Sequence, residues 1–337
     1  MAKDWSEWVV ENLDRDCDPD GIVHILLDNE FPVPIIRKMM GDRFPEHSSH
    51  IKNGYGADEG EATPIDADFL NRKRMALLTI QRMLARLDPG RRTIERRHDV
   101  SRDEFLEKYY AASRPVILCD MMEDWEARTK WTPEYLKATC GGEMVEIMAA
   151  RESNPLYEIQ SQKHRRTVRF SEFVDMVVNA NESNDYYLTA RNDFFSRPGT
   201  KALLKDMVIF PEYLKNDNPG SGMFLWFGPK GTVTPLHYDL MNIFMAQVQG
   251  RKKIKVVPAN ELDLVYNHFS VYSQVDVSNP DYDKFPNFRQ ATVIDLELAP
   301  GEVLFLPVGW WHYVKALDRS MTVSFTNFIF PNSYEWD

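Results

Sequence analysis

The chain is poor in cysteine. Three residues in 337, Cys17, Cys119 and Cys140, stand far apart with no C-x-x-C, so neither a disulfide framework nor a zinc ribbon can be assembled. Such usage fits a reducing, intracellular compartment. Positive charge is in deficit as well. Forty Lys and Arg against 51 Asp and Glu leave a net charge of −11, which repels a phosphate backbone unless the basic residues are segregated on one face. Nucleic acid is therefore not expected as a partner. No apolar run approaches the roughly 20 residues of a membrane helix, and the opening Met-Ala-Lys-Asp-Trp-Ser-Glu-Trp lacks the basic-then-apolar order of a signal peptide. The expectation is a soluble, cytoplasmic protein that does not associate with membranes. There is no repeat of fixed period and no low-complexity tract.

What remains is an ordinary globular composition, 43% hydrophobic and 27% charged, in a chain long enough to bury a large core. Residues 1–95 read as a helical region that serves dimerisation or substrate recruitment. Asp4 is a candidate N-cap for Trp5 to Leu13, and Asp18-Pro19-Asp20 opens a second helix ended by Pro32 and Pro34. A polar, glycine-bearing stretch from Gly41 to Thr63 reads as a loop, and His47 and His50 within it as solvated. A long helix over Asp66 to Leu87 carries Phe69, Leu77, Ile80, Leu84 and Leu87 on one side.

Residues 96–337 read as a second, catalytic domain. Short strands become dense after residue 220: Met223 to Phe227, Thr232 to Leu236, Phe244 to Val248, Lys252 to Val257, Thr292 to Leu298, Val303 to Leu306 and Thr322 to Phe328. The class is α+β with a mainly β core, a sandwich or a barrel.

Within it, Thr234-Pro-Leu-His237-Tyr238-Asp239 is followed 75 positions after His237 by His312 in Gly309-Trp-Trp-His. On an extended backbone His237 and Asp239 leave the same face, while Tyr238 points the other way. With His312, two imidazoles and one carboxylate could occupy one face of an octahedron and leave three positions open, as non-haem Fe(II) oxygenases require. His-x-Asp alone is a weak signal. Its setting at a strand end, with His312 placed at the end of the Val303 strand, strengthens it. Strand parity adds Lys252: the even positions Phe244, Ala246, Val248, Ile254 and Val256 are apolar, and Lys252 shares their side. A lysine facing a barrel interior is costly unless an anion pairs with it. The alternative is a bulge at Gly250 that returns Lys252 to solvent.

These residues, with Ala246-Gln-Val-Gln-Gly-Arg-Lys252, Ser273-Gln-Val-Asp, Lys284-Phe-Pro-Asn-Phe288 and Pro300-Gly-Glu-Val-Leu-Phe-Leu-Pro307, resemble the JmjC members of the cupin superfamily, Fe(II)- and 2-oxoglutarate-dependent oxygenases. The likeness is closest to asparaginyl hydroxylases of the factor-inhibiting-hypoxia-inducible-factor type, and it spans roughly residues 185–328. It implies a double-stranded β-helix of the jelly-roll type, with iron on His237, Asp239 and His312. It also implies that Lys252 meets the distal carboxylate of 2-oxoglutarate, with the Thr234 and Tyr187 hydroxyls beside it; Tyr186 is the adjacent alternative. Where those relatives carry Asn near the cosubstrate, this chain has Ile243 with Asn242 one position earlier, and Ser324 with Asn327 nearby. Asn242 and Ser324 are thus further cofactor-binding candidates, and asparagine specificity stays open.

The implied reaction consumes O2 and 2-oxoglutarate, releases succinate and CO2, and hydroxylates a C–H bond. A protein or peptide side chain is the expected substrate. A free amino acid or metabolite, an N-methyl-lysine, and a cupin that binds without turnover are the rivals, and a homodimer is left open. Asn260 to Phe288, rich in aromatics, reads either as a substrate-contacting loop or as an excursion that packs on itself. Trp310 and Trp311 read as walls of the barrel or of its mouth.

Overall fold

Asp4 and Asp18 cap the first two helices as their positions predict. The Asp4 carboxylate accepts from the Ser6 and Glu7 amides at the start of α1 (Trp5–Asp14), and that of Asp18 accepts from Asp20 and Gly21 at the start of α2 (Pro19–Asp28). The prolines expected only to break the chain also begin a helix, α3 (Val33–Met40), because Pro34 lies in the first turn, where no amide proton is needed. Val9, Leu13, Val23, Leu26, Ile36 and Met40 meet in a small core of their own.

The computed structural model describes residues 4–45, 67–190 and 193–334. Most of the polar stretch, with His47 and His50, lies outside them. The chain divides into two compact units, Met1–Ala67 and Asp68–Asp337, so the division falls well before the boundary expected at residue 95. The physical reason is α4 (Ala67–Ala85): Arg82 on it binds Asp263 and the Asn260 carbonyl and ties the helix to the larger unit.

The larger unit is built on strands β1 (Glu95–Arg97), β2 (Val116–Leu118), β3 (Met144–Met148), β4 (Arg165–Arg169), β5 (Met223–Gly228), β6 (Val233–Tyr238) and β7 (Ile243–Gln249). They continue as β8 (Lys252–Val257), β9 (Asn267–Phe269), β10 (Tyr272–Ser273), β11 (Ile294–Leu298), β12 (Val303–Leu306), β13 (Trp311–Ala316) and β14 (Ser320–Phe325). One sheet runs β1-β2-β12-β7-β14-β5 and the other β11-β8-β13-β6-β10-β9; β3 and β4 pair separately. Strands β5 to β8 and β11 to β14 alternate between the sheets, apart from the excursion between β8 and β11. That is a double-stranded β-helix, as the resemblance implies.

Two expectations change in detail. His312 does not end the Val303 strand; it stands near the start of β13, which Trp311, Tyr313 and Val314 make strand-forming, after a turn at Gly309 with φ +78°. The parity argument for Lys252 holds for β8 and fails for β7. Phe244, Ala246 and Val248 pack outward against the layer that contains Phe105, Trp125 and Phe328, while Ile243 and Met245 face the sheet interior with Ile254 and Val256. Gly250, at φ +67°, makes the turn across which the inward parity switches, and Lys252 is buried all the same.

Candidate metal centre

β6 and β13 are neighbours in the sheet, and their register sets His237 opposite His312, with ring centroids 4.1 Å apart. Asp239 follows the last residue of β6, and its Oδ2 lies 3.6 Å from His312 Nε2. The Gly309 amide donates to the Asp239 carbonyl at 3.1 Å and joins the two ligand-bearing segments through backbone. The three potential donor atoms all lie within 4.8 Å of one another.

Each imidazole is oriented by the backbone carbonyl two residues before it. His237 Nδ1 is 2.8 Å from the Pro235 carbonyl and His312 Nδ1 is 3.1 Å from the Trp310 carbonyl. A carbonyl can only accept, so Nδ1 carries the proton in both rings and Nε2 presents its lone pair. Burial, helped by the neighbouring His237, lowers the His312 pKa to about 4 and keeps that ring neutral at pH 7. Two imidazoles and a carboxylate on one side are a donor set that fits a divalent iron with open positions.

The cluster lines a cavity of about 430 Å³ together with Lys252, Tyr187, Thr234, Trp226, Ser324 and Tyr272. Lys252 Nζ stands 3.3 Å from the Tyr187 hydroxyl, and this contact selects Tyr187 over Tyr186. Thr234 lines the same cavity wall as this phenol. Burial pushes the Lys252 ammonium down to about 7 and the Tyr187 phenol up.

Ser324 is in the wall, where its hydroxyl accepts from Trp226 Nε1 at 2.9 Å. Asn242 is not. Its Oδ1 accepts from the Val308 amide, and its Nδ2 donates to Asn332 Oδ1 and the Tyr334 hydroxyl, each at 2.9 Å. The place in the lining goes to Ile243, on the inward parity of β7. Asn242 thus acts as a clamp between the β6–β7 turn and the loop that leads to His312.

Sequence reasoning missed Trp226 and Glu158. The alternation on β5 could have found the first, since Phe224 and Trp226 line the cavity while Met223, Leu225 and Phe227 enter the core. Glu158 lies in a loop and has no such signal. The 260–288 segment divides: Val275, Val277, Phe285 and Phe288 pack with Trp311 and Tyr313, as an excursion that packs on itself would, while Ser270, Val271 and Tyr272 line the cavity. Trp310 and Trp311 are both packing residues, the former donating from Nε1 to the Ser113 carbonyl.

With this geometry in hand, comparison with known proteins finds that residues 102–334 match the model of the cupin-like domain. The chain belongs to the cupin-like JmjC family. The tRNA wybutosine-synthesizing protein 5 of Gallus gallus is 30% identical over 229 residues, 64% of this chain and 70% of that protein. Lysine-specific demethylase 8 of Xenopus tropicalis is 34% identical over 240 residues, 69% of this chain and 52% of the relative. Lysine-specific demethylase JMJ30 of Arabidopsis thaliana is 32% identical over 273 residues, 78% of this chain and 61% of the relative. The JmjC chain thus spans little more than half of the two demethylases. The likeness to asparaginyl hydroxylases rests on the motifs alone. Among the described residues no helix is long and apolar enough to cross a membrane.

Proposed function

We propose that the protein is an Fe(II)- and 2-oxoglutarate-dependent dioxygenase that hydroxylates a side chain of a protein or peptide. The observation that carries this reading is the placing, in one cavity, of a three-donor cluster and a buried lysine that among the described residues meets a phenol and no carboxylate. His237, Asp239 and His312 would hold the iron, which with the 2-oxoacid and O2 supplies the oxidising chemistry for a C–H bond.

The chain's own part is placement and timing. Lys252, protonated on pairing, would hold the distal carboxylate, and the Tyr187 and Thr234 hydroxyls would complete its hydrogen bonds. The low-dielectric wall formed by Ile243, Met245 and Val314 strengthens that pairing and keeps bulk water from it. Trp226, fixed by Ser324, sets one wall, and Tyr272 on β10 sets the side nearest His237. Leu240 and Met241 line the same cavity and are exposed, which gives a substrate an apolar surface beside the metal cluster. A net charge of −11 favours a polypeptide over a polynucleotide.

The test is a proteomic comparison of cells that carry the wild type or Asp239→Ala. Peptides that gain one oxygen only with the wild type support the proposal, and no such peptide contradicts it. The names of the two demethylase relatives favour a second reading, oxidative removal of an N-methyl group, which starts with the same C–H hydroxylation. Loss of a methyl group with release of formaldehyde would identify it. A free amino acid or metabolite that stimulates succinate formation while no peptide changes would point to the small-molecule reading.

A further inference from the structure

α4 lies outside the cupin-like match and turns its more apolar face outward. Its contact side is a stripe of Met75, Leu78, Arg82 and Ala85, half-buried and held by Arg82 to Asp263. Nearly opposite, Leu77, Ile80, Met83 and Leu84 are between 51% and 63% exposed, and Leu87 in the turn that follows is 79% exposed. Leu70, Leu77 and Leu84 recur every seven residues along α4, and so do Lys73 and Ile80; Leu87 stands in the turn that follows the helix. These are the a and d positions of a heptad, and Met75 and Arg82 are the f positions on the far side. Contiguous exposed apolar residues of this kind mark an interaction surface.

The charges decide the occupant. Between Asp68 and Asp88 the helix carries Arg72, Lys73, Arg74 and Arg82, the turn after it adds Arg86, and there is no acid. A second copy of α4 would bring like charges together in either orientation. A lipid surface would have to take in Lys73, which stands in line with Ile80. An acidic helix meets both demands, with apolar residues for the seam and carboxylates for Lys73 and Arg74. We infer that α4 is a docking strip for an acidic amphipathic helix of a partner protein, laid along its a/d seam.

The experiment titrates the full chain with two synthetic helical peptides of about three heptads, both with Leu at a and d, one with Glu and one with Lys at e and g. The Glu peptide should bind, more weakly as salt rises, and Leu77→Asp with Leu84→Asp should reduce its affinity by at least about tenfold. Arg72→Glu with Arg74→Glu should turn the preference toward the Lys peptide. Circular dichroism confirms that each variant is folded. Equal binding of both peptides, or binding of neither, would overturn the inference. So would self-association of the chain that the Leu77→Asp and Leu84→Asp pair abolishes, or binding of anionic phosphatidylserine vesicles in place of the Glu peptide.

Discussion

Arg151 and Lys252 are both buried cations close to Tyr187, and they are treated in opposite ways. The Arg151 guanidinium is answered from within the fold: Glu158 Oε1 at 2.9 Å, Asn184 Oδ1 at 3.0 Å, the Val233 carbonyl at 2.6 Å, and the Tyr157 ring 4.3 Å from its carbon. The Lys252 ammonium meets the Tyr187 hydroxyl at 3.3 Å and no carboxylate among the described residues. Burying a charge without a counter-charge is expensive, and its depressed pKa of about 7 expresses that cost. A cation paired inside the fold serves the fold. For one left without an anion at the end of a cavity, the proposed function supplies an anion that arrives from outside.

The largest effect that separates the two is on stability. Arg151→Met leaves Glu158 without its partner in a buried wall, so denaturant unfolding should show a loss of ~3–5 kcal/mol. A loss below about 1 kcal/mol would put Arg151 in the same class as Lys252. Lys252→Met should do the reverse: stability is unchanged or rises, while 2-oxoglutarate affinity, read by calorimetry, falls by the ~2–5 kcal/mol of a truncated buried charge pair.

The next effect is in pH. The unfolded lysine keeps its proton up to about 10.4 and the folded one only to about 7, so the unfolded state holds more protons between these values. Stability of the ligand-free chain should therefore rise with pH across that window. An anion that pairs with the charged form must draw a proton in, and 2-oxoglutarate affinity should weaken by up to about tenfold per unit as pH climbs above 7. Lys252→Met should flatten both slopes. The smallest effect belongs to the clamp: Asn242→Ala removes the acceptor of the Val308 amide and should cost on the order of 1 kcal/mol of stability. It should also weaken Fe(II) binding through the loop that leads to His312.

How far the sequence showed this depends on how local each signal is. His237 and Asp239 are legible because two residues on a strand share a face by geometry alone. His312 is legible through its aromatic setting, although the strand it begins was missed, since the Gly309 turn splits what reads as one apolar run from Val303. Lys252 was reached by a parity that is right for β8 and wrong for β7: alternation tells that two faces differ, not which one meets the interior. Asn242 shows the same limit at a single position, with the inward side taken by Ile243. Arg151 and Glu158 come from loops far from the metal cluster in sequence, and nothing in their neighbours' periodicity could bring them together. For α4 the helix was plain, but periodicity cannot say which face the fold covers, and the structure turns the apolar one out.

The contrast between the two cations rests on Lys252 being there to receive a carboxylate beside a metal. An anaerobic titration with Fe(II) and 2-oxoglutarate, followed by the visible charge-transfer band of the iron-bound 2-oxoacid, tests it directly. Wild type should develop the band. His312→Ala should not, and Lys252→Met should need at least about thirtyfold more 2-oxoglutarate to reach half of it. A well-folded wild type with no band, or a Lys252→Met titration that overlays the wild type, would contradict the account.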